Sequence, residues 1–376
     1  MPSAAGTIDR TALFGSLDLG EIKLPNRIIM APMSRMRAQA DGVPSELNVV
    51  YYAQRASAGL IIAEASCVSR QGRGYANSTA IYSDEHTGGW RKVCDAVHAA
   101  GGRIVLQLWH VGRISHSSLQ DGGALPVAPS PIARSGEILT PNGPMPYETP
   151  HALSVDEIHA VAEDYRRAAA RAKDAGFDGV EVQCANGFLL EQFLNDGTNH
   201  RTDQYGGSME NRSRILFETL EAVCSIWPSG RVGVRLSPFS TSHECTDSNP
   251  EALHSHVVSR LAALNLAYLH FYEPRAGGAG RSDEFTAGVP FVSKLMRKHY
   301  SGPIIAAGGF DPDSAAVAVE QGSVDAVVFG RHFVSNPDLP ARIRHGLTLT
   351  PYHRPTFYSG GVSGYTDYPY AQCSQS

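Results

Sequence analysis

No stretch of this chain approaches the roughly 18 uninterrupted apolar residues of a membrane span. The segment Met1–Arg10 is small and polar and lacks the apolar centre of a signal peptide. Cytoplasmic residence is therefore the expectation. Lys and Arg form no run long enough to suggest a nucleic-acid or phospholipid surface, and the net charge is −5. The six cysteines, Cys67, Cys94, Cys184, Cys224, Cys245 and Cys373, form no CxxC; no histidine cluster has metal-ligand spacing, and no HExxH occurs. A metal is not expected, and the cysteines read as free thiols of a reducing compartment. Internal repeats and low-complexity tracts are also missing. The 376 residues are 42% hydrophobic and 18% charged. That balance suits a globular protein, and a single α/β barrel absorbs such a length.

What the chain does have is a rhythm. Eight short apolar runs recur: Ile28–Met33, Leu60–Ala65, Ile104–Trp109, Gly179–Gln183, Val232–Leu236, Ala267–Tyr272, Pro303–Ala307 and Ala326–Gly330. Strands buried on both faces read as continuous apolar runs. Between them fall helix-like stretches over Ser45–Ala58, Asp84–Ala100, Ser154–Ala175, Ser208–Ile226, Pro250–Leu264, Val289–His299, Asp311–Gln321 and Pro337–His345. Asp311-Pro312 and Asn336-Pro337 each place a capping side chain before a proline. Strand and helix alternating eight times predict one (β/α)8 TIM barrel spanning 1–376.

Two segments interrupt the rhythm. Leu13–Pro25 reads as a hairpin turning at Gly20 and plugging the N-terminal end of the barrel. The stretch Val111–Pro150, after the third strand, is rich in Pro, Gly and Ser and too long for a plain loop; a lid over the mouth is expected. The tail, Phe357–Ser376, is expected to fold back over the site.

Such barrels carry their chemistry at the C-terminal strand ends. Gly308-Gly309 follow the seventh strand and Gly330-Arg331 the eighth, where barrel loops commonly bind phosphate. Glycine permits close approach, and Arg331 adds a charged contact. The phosphate belongs to a sugar phosphate or to FMN. Gln107 and Arg235, expected on opposite sides of the barrel, offer an isoalloxazine ring an amide for its pyrimidine edge and a cation near N1. Gly277-Gly278-Ala279-Gly280 is glycine-rich but lacks the spaced Rossmann fingerprint.

The chain resembles the old yellow enzymes, the FMN-dependent ene-reductases. The resemblance rests on Pro25-Asn26-Arg27 with Met30–Ala38, then Gly59–Ala65, Gln107–Gly112, Gly179–Leu194, Asn199–Arg214, Val232–Pro238, Gly330–Leu339 and Gly364–Pro369. These blocks run in family order over nearly the whole chain. They imply tightly but non-covalently bound FMN, with NAD(P)H as hydride donor. They imply that Pro32, Met33, Ser34 and Ala65 line the ring. Gln107 holds the pyrimidine edge, Arg235 the N1–O2 side, and Gly308, Gly309, Gly330 and Arg331 the phosphate. Trp109 and Tyr358, with Tyr82, bound the substrate cavity. The implied reaction transfers hydride from flavin N5 to the activated C=C bond of an α,β-unsaturated carbonyl compound. The expected partner is a small-molecule substrate, with neither nucleic acid nor membrane, in a monomer or homodimer.

Two departures fall at the expected catalytic positions. After the fourth strand the family reads His-x-x-Asn or His-x-x-His, then Gly-Tyr; here the chain reads Gln183-Cys184-Ala185-Asn186-Gly187-Phe188. The carbonyl-gripping pair becomes Gln183 plus Asn186, and the proton-donating tyrosine becomes Phe188. Cys184, by strand alternation, faces away from Gln183 and belongs to the core. Tyr82 or Tyr358 is available as a substitute proton source. The alternative is a redox-neutral isomerase or an oxidative variant of the same family.

Overall fold

The computed structural model describes residues 8–275, 288 and 290–371. Eight parallel strands close into a barrel: β1 (Ile28–Met30), β2 (Leu60–Cys67), β3 (Ile104–Trp109), β4 (Gly179–Cys184), β5 (Val232–Leu236), β6 (Tyr268–Tyr272), β7 (Ile304–Ala307) and β8 (Ala326–Phe329). Neighbours pair in chain order, and β8 closes the ring on β1. β1 stops at Met30 rather than Met33, because Pro32 has no N–H for the ladder.

Ten helices surround the ring among the described residues: α1 (Glu46–Ala53), α2 (Asp84–Ala99), α3 (Val155–Asp174), α4 (Leu189–Leu194), α5 (Met209–Cys224), α6 (Pro250–Leu261), α7 (Val292–Met296), α8 (Pro312–Glu320), α9 (Arg331–Ser335) and α10 (Leu339–Arg344). α3 shows why they form. The Ser154 hydroxyl accepts from Glu157 N–H while the Glu157 carboxylate accepts from Ser154 N–H, a reciprocal cap. Its buried stripe of Ile158, Val161, Tyr165, Ala168 and Ala172 then packs against the barrel. Fully burying each Ile, Leu or Val stabilises the fold by about 1.5–3 kcal/mol.

Alternation along each strand sorts the interior. Ile104, Leu106, Val180, Val182 and Cys184 join the core under the helices. The residues between them face inward. In the lower interior Ile29, Leu60, Ile62, Val105 and Ile305 form an apolar plug. The strands Leu17–Leu19 and Ile22–Leu24 pair as the expected hairpin, and Leu19, Ile22 and Leu24 seal the plug from below.

Three differences from expectation stand out. α4 and α9 are too short to leave a 3.6-residue pattern. Asn336 does not cap a helix at Pro337: α10 starts at Leu339, behind Asp338. Asn336 closes α9 instead, its Nδ2 donating to His332 O at 2.9 Å and its Oδ1 accepting from Thr350 N–H at 2.7 Å. Cys373 and Gly277–Gly280 lie outside the described residues. Within the excursion 111–150, the strands Glu137–Thr140 and Gly143–Pro146 form a hairpin whose Leu139 reaches the mouth of the barrel.

Candidate active site

A cavity opens at the C-terminal ends of the strands. Pro32, Met33, Ser34 and Ala65 line it together with Gln107 and Trp109 from β3, Gln183 from β4, Asn186 and Phe188 from the loop beyond, and Arg235 from β5. A second cavity, lined by Gly308, Gly309, Gly330 and Arg331, shares Pro32, Met33, Asn186 and Arg235 with the first. The two make one trough across the mouth of the barrel. Gly308 has a φ of +128°, and a Cβ there would fall 2.8 Å from Glu273, so only glycine lets this turn pass.

Tyr358 lines the trough but Tyr82 does not. Tyr82 turns edge-on to His86, with ring centroids 4.4 Å apart. Tyr75 takes the place expected for it and stacks on Trp109 at 6.0 Å and 19°. Trp109 in turn meets Phe188 edge-to-face at 4.7 Å and 74°. This wall is apolar and aromatic. Burial raises the Tyr75 and Tyr358 phenols above their ordinary value, so both keep their protons at neutral pH.

Gln107 and Arg235 are not on opposite sides. Only β4 separates them: Gln107 is in register with Glu181, and Gln183 with Arg235. Glu181, which the sequence reading passed over, ties this region together. It accepts from Gln107 Nε2 at 2.6 Å and from His270 Nδ1 at 2.9 Å. All three are buried. Alternation could have found Glu181, since it lies two residues before Gln183 on the same strand face. Burial pushes His270 down, leaving it neutral. Burial pushes the Glu181 carboxyl up, but His270, Arg235 and Gln107 more than offset this and hold it below the ordinary carboxylate value. Arg235 is 8% exposed. Its guanidinium lies 5.8 Å from the centre of the Tyr272 ring, makes no hydrogen bond among the described residues, and has a buried Nε without a partner. A buried donor of this kind calls for an acceptor from a bound molecule.

The β4 loop is held from behind. Asn186 adopts a φ of +60°, a conformation asparagine tolerates better than most residues. Its N–H donates to Ser237 Oγ at 2.7 Å. Gly187 follows at φ +80°, where a Cβ would come 2.4 Å from Ser242 O. From above, Arg35 and Arg37 donate to carbonyls of the tail, fixing Phe357 and Tyr358 over the cavity. Neither arginine carried a signal in the sequence beyond its place in the block Met30–Ala38.

The chain as a whole is similar to known proteins. The profile of the NADH:flavin oxidoreductase / NADH oxidase family covers residues 12–350. The chain is 43% identical to flavin oxidoreductase hxnT of Emericella nidulans, over 96% of this chain and 98% of that protein. It is also 43% identical to 12-oxophytodienoate reductase 7 of Oryza sativa subsp. japonica, over 95% and 94%. Among solved structures, morphinone reductase in complex with tetrahydroNAD superposes with a TM-score of 0.90 at 46% identity, covering 97% of this chain and 99% of that one. The old yellow enzyme homologue from Zymomonas mobilis gives 0.90 at 41%, covering 95% and 99%. With the barrel, the trough and its polar floor in place, the chain belongs to the NADH:flavin oxidoreductase / NADH oxidase family, the FMN-dependent old yellow enzymes.

Proposed function

We propose that this enzyme reduces the activated C=C bond of α,β-unsaturated carbonyl compounds at the expense of NADH or NADPH. When bound, FMN carries hydride between the nicotinamide and the alkene. The observation that carries this reading is the buried Arg235 guanidinium, whose Nε has no hydrogen-bond partner, beside a Gln107 already oriented by Glu181. With its Nε2 engaged, Gln107 keeps Oε1 as an acceptor for an imide N–H, while Arg235 supplies charge to the neighbouring carbonyl. Pro32, Met33, Ser34 and Ala65 would flank the ring. Gly308, Gly309, Gly330 and Arg331 would hold the phosphate.

The other residues act on the substrate. Gln183 and Asn186 hold its carbonyl group. Trp109, Tyr75 and Phe188 exclude water from the reacting face. Phe188 has no proton to give, so the proton for the α-carbon comes from Tyr75, Tyr358 or water. Phe188 also favours the second reading, a redox-neutral isomerase or oxidative variant of the same enzyme type. Substrate-dependent NAD(P)H consumption separates the two: a reductase uses one equivalent per product, an isomerase only a trace.

The test begins with the colour of the purified protein. It should carry FMN, which NADH or NADPH bleaches without oxygen and cyclohexenone restores. Protein purified without FMN, or FMN that neither nicotinamide bleaches, overturns the reading.

A further inference from the structure

Gln183 and Asn186 are hydrogen-bonded to each other: Gln183 Nε2 donates to Asn186 Oδ1 at 3.4 Å. Gln183 Oε1 is buried and has no hydrogen-bond partner among the described residues. Both side chains line the cavity. The engaged pair thus retains one acceptor, Gln183 Oε1, and one donor group, Asn186 Nδ2. Exchanging O and N in both amides moves the free acceptor to Asn186 and the free donor to Gln183 but keeps both. Gln183 Oε1 would then accept from Asn186 Nδ2, leaving Gln183 Nε2 to donate and Asn186 Oδ1 to accept. Two linked amides always keep one free carbonyl oxygen to accept and at least one free NH2 group to donate.

A ketone or aldehyde carbonyl brings acceptors only. It satisfies a donor and leaves the pair's free acceptor unpaired, which is costly in a desolvated site. A group with N–H beside C=O satisfies both. We propose that the Gln183–Asn186 pair selects ligands bearing an N–H next to the carbonyl: unsaturated lactams, cyclic imides and primary amides, in preference to ketones and lactones of the same shape. This rests on the reading above that the pair holds the substrate carbonyl. The Trp109, Tyr75 and Phe188 wall suits the apolar remainder of such a ring.

The test uses three six-membered rings that differ only beside the carbonyl: 5,6-dihydropyridin-2-one (N–H), 5,6-dihydropyran-2-one (O) and cyclohex-2-enone (CH2). Each is titrated into the oxidised FMN holoenzyme without nicotinamide, whose own carboxamide carries the same two groups. Perturbation of the flavin absorbance reports binding independently of turnover. The lactam should bind roughly tenfold to hundredfold more tightly than the other two, since an unpaired buried polar group costs affinity of that order. Gln183→His, whose neutral imidazole accepts from Asn186 Nδ2 on one nitrogen and donates to the carbonyl from the other, should remove the lactam preference. Gln183→Met, close in volume and without polar hydrogen bonding, should level it. Equal binding of the three rings by the wild-type enzyme overturns the proposal even where NADH-driven reduction proceeds. A lactam preference in an enzyme whose FMN no nicotinamide reduces upholds the proposal and overturns the reductase reading instead.

Discussion

Ser237 Oγ lies 2.5 Å from Glu191 Oε1, and this contact ties the loop carrying Asn186 to a buried carboxyl group. Ser237 passes the restraint on by accepting from Asn186 N–H, while the other Glu191 oxygen accepts from Gly187 N–H. Burial raises Glu191 to about 7, against the pull of Ser237, Gly187 and Arg235. A pKa raised above the ordinary 4.5 means that the folded state holds the proton more tightly than the unfolded chain. This stabilisation is complete below about 4.5 and is lost as pH rises through about 7. At about 1.4 kcal/mol per unit it is on the order of 3 kcal/mol. Wild type minus Glu191→Gln, followed by denaturant unfolding from pH 4 to 9, should show that decline. A flat difference would mean that Glu191 does not titrate near neutrality. KM for the substrate should follow the same curve, since the carboxylate accepts from Gly187 N–H directly and from Ser237, which in turn accepts from Asn186 N–H.

Much of this site is legible in the sequence, and the misses have physical causes. The barrel reads directly because strands buried on both faces leave apolar runs, and the hairpin because Leu19, Ile22 and Leu24 alternate with polar residues. Gln107 and Arg235 go astray because two strands counted apart in a closed ring of eight flank a common neighbour rather than face each other. Tyr75 and Tyr82 follow the same strand, and only tertiary packing sends one to Trp109 and the other to His86. Glu191 hides on a six-residue helix that no period reveals.

Glu181 offers a second prediction. It orients Gln107 and balances the charge of Arg235 from beneath the trough. Glu181→Gln removes that negative charge and frees Gln107 to turn over. FMN affinity, measured by quenching of its fluorescence, should fall roughly tenfold or more, as expected for losing a buried charged hydrogen-bond acceptor. The flavin that still binds should have a more positive midpoint potential, because Arg235 is no longer compensated. If affinity and potential both stay put, Glu181 acts only as packing.

Phe188 lines the cavity, packed edge-to-face on Trp109. Phe188→Tyr adds a hydroxyl with little change of shape. A placed general acid is typically worth about 10²–10⁴-fold in the proton-transfer step. Cyclohexenone reduction should therefore rise at least several-fold where protonation limits turnover. The solvent deuterium effect on kcat should fall with it. An unchanged rate and isotope effect would indicate that Tyr75, Tyr358 or water already delivers the proton quickly enough. Tyr75→Phe in the wild-type background then separates these sources, lowering turnover only where Tyr75 is the donor.

Arg37 fastens the lid side of the cavity. Its guanidinium donates to Thr356 O at 2.8 Å, Ser359 O at 2.7 Å and Gly361 O at 3.1 Å, and its face lies 4.6 Å from the centre of the Tyr365 ring. Arg35 secures Phe357 O and Gly364 O from the neighbouring position, at 2.9 and 2.8 Å. Hydrogen bonds to a charged donor contribute about 1.5–3 kcal/mol each. Arg37→Met keeps much of the stem but removes its hydrogen bonds to five tail carbonyls, those of Thr356, Phe357, Ser359, Gly361 and Ser363. The segment 356–364 should then open locally, exposing it to protease several-fold faster, while the barrel and its FMN content persist. KM should rise more than kcat falls, because Tyr358 shapes the cavity wall without reaching the glycine-lined end of the trough. Loss of FMN together with the tail would show instead that Arg37 supports the cofactor floor, and the tail would then be part of one cooperative unit with it.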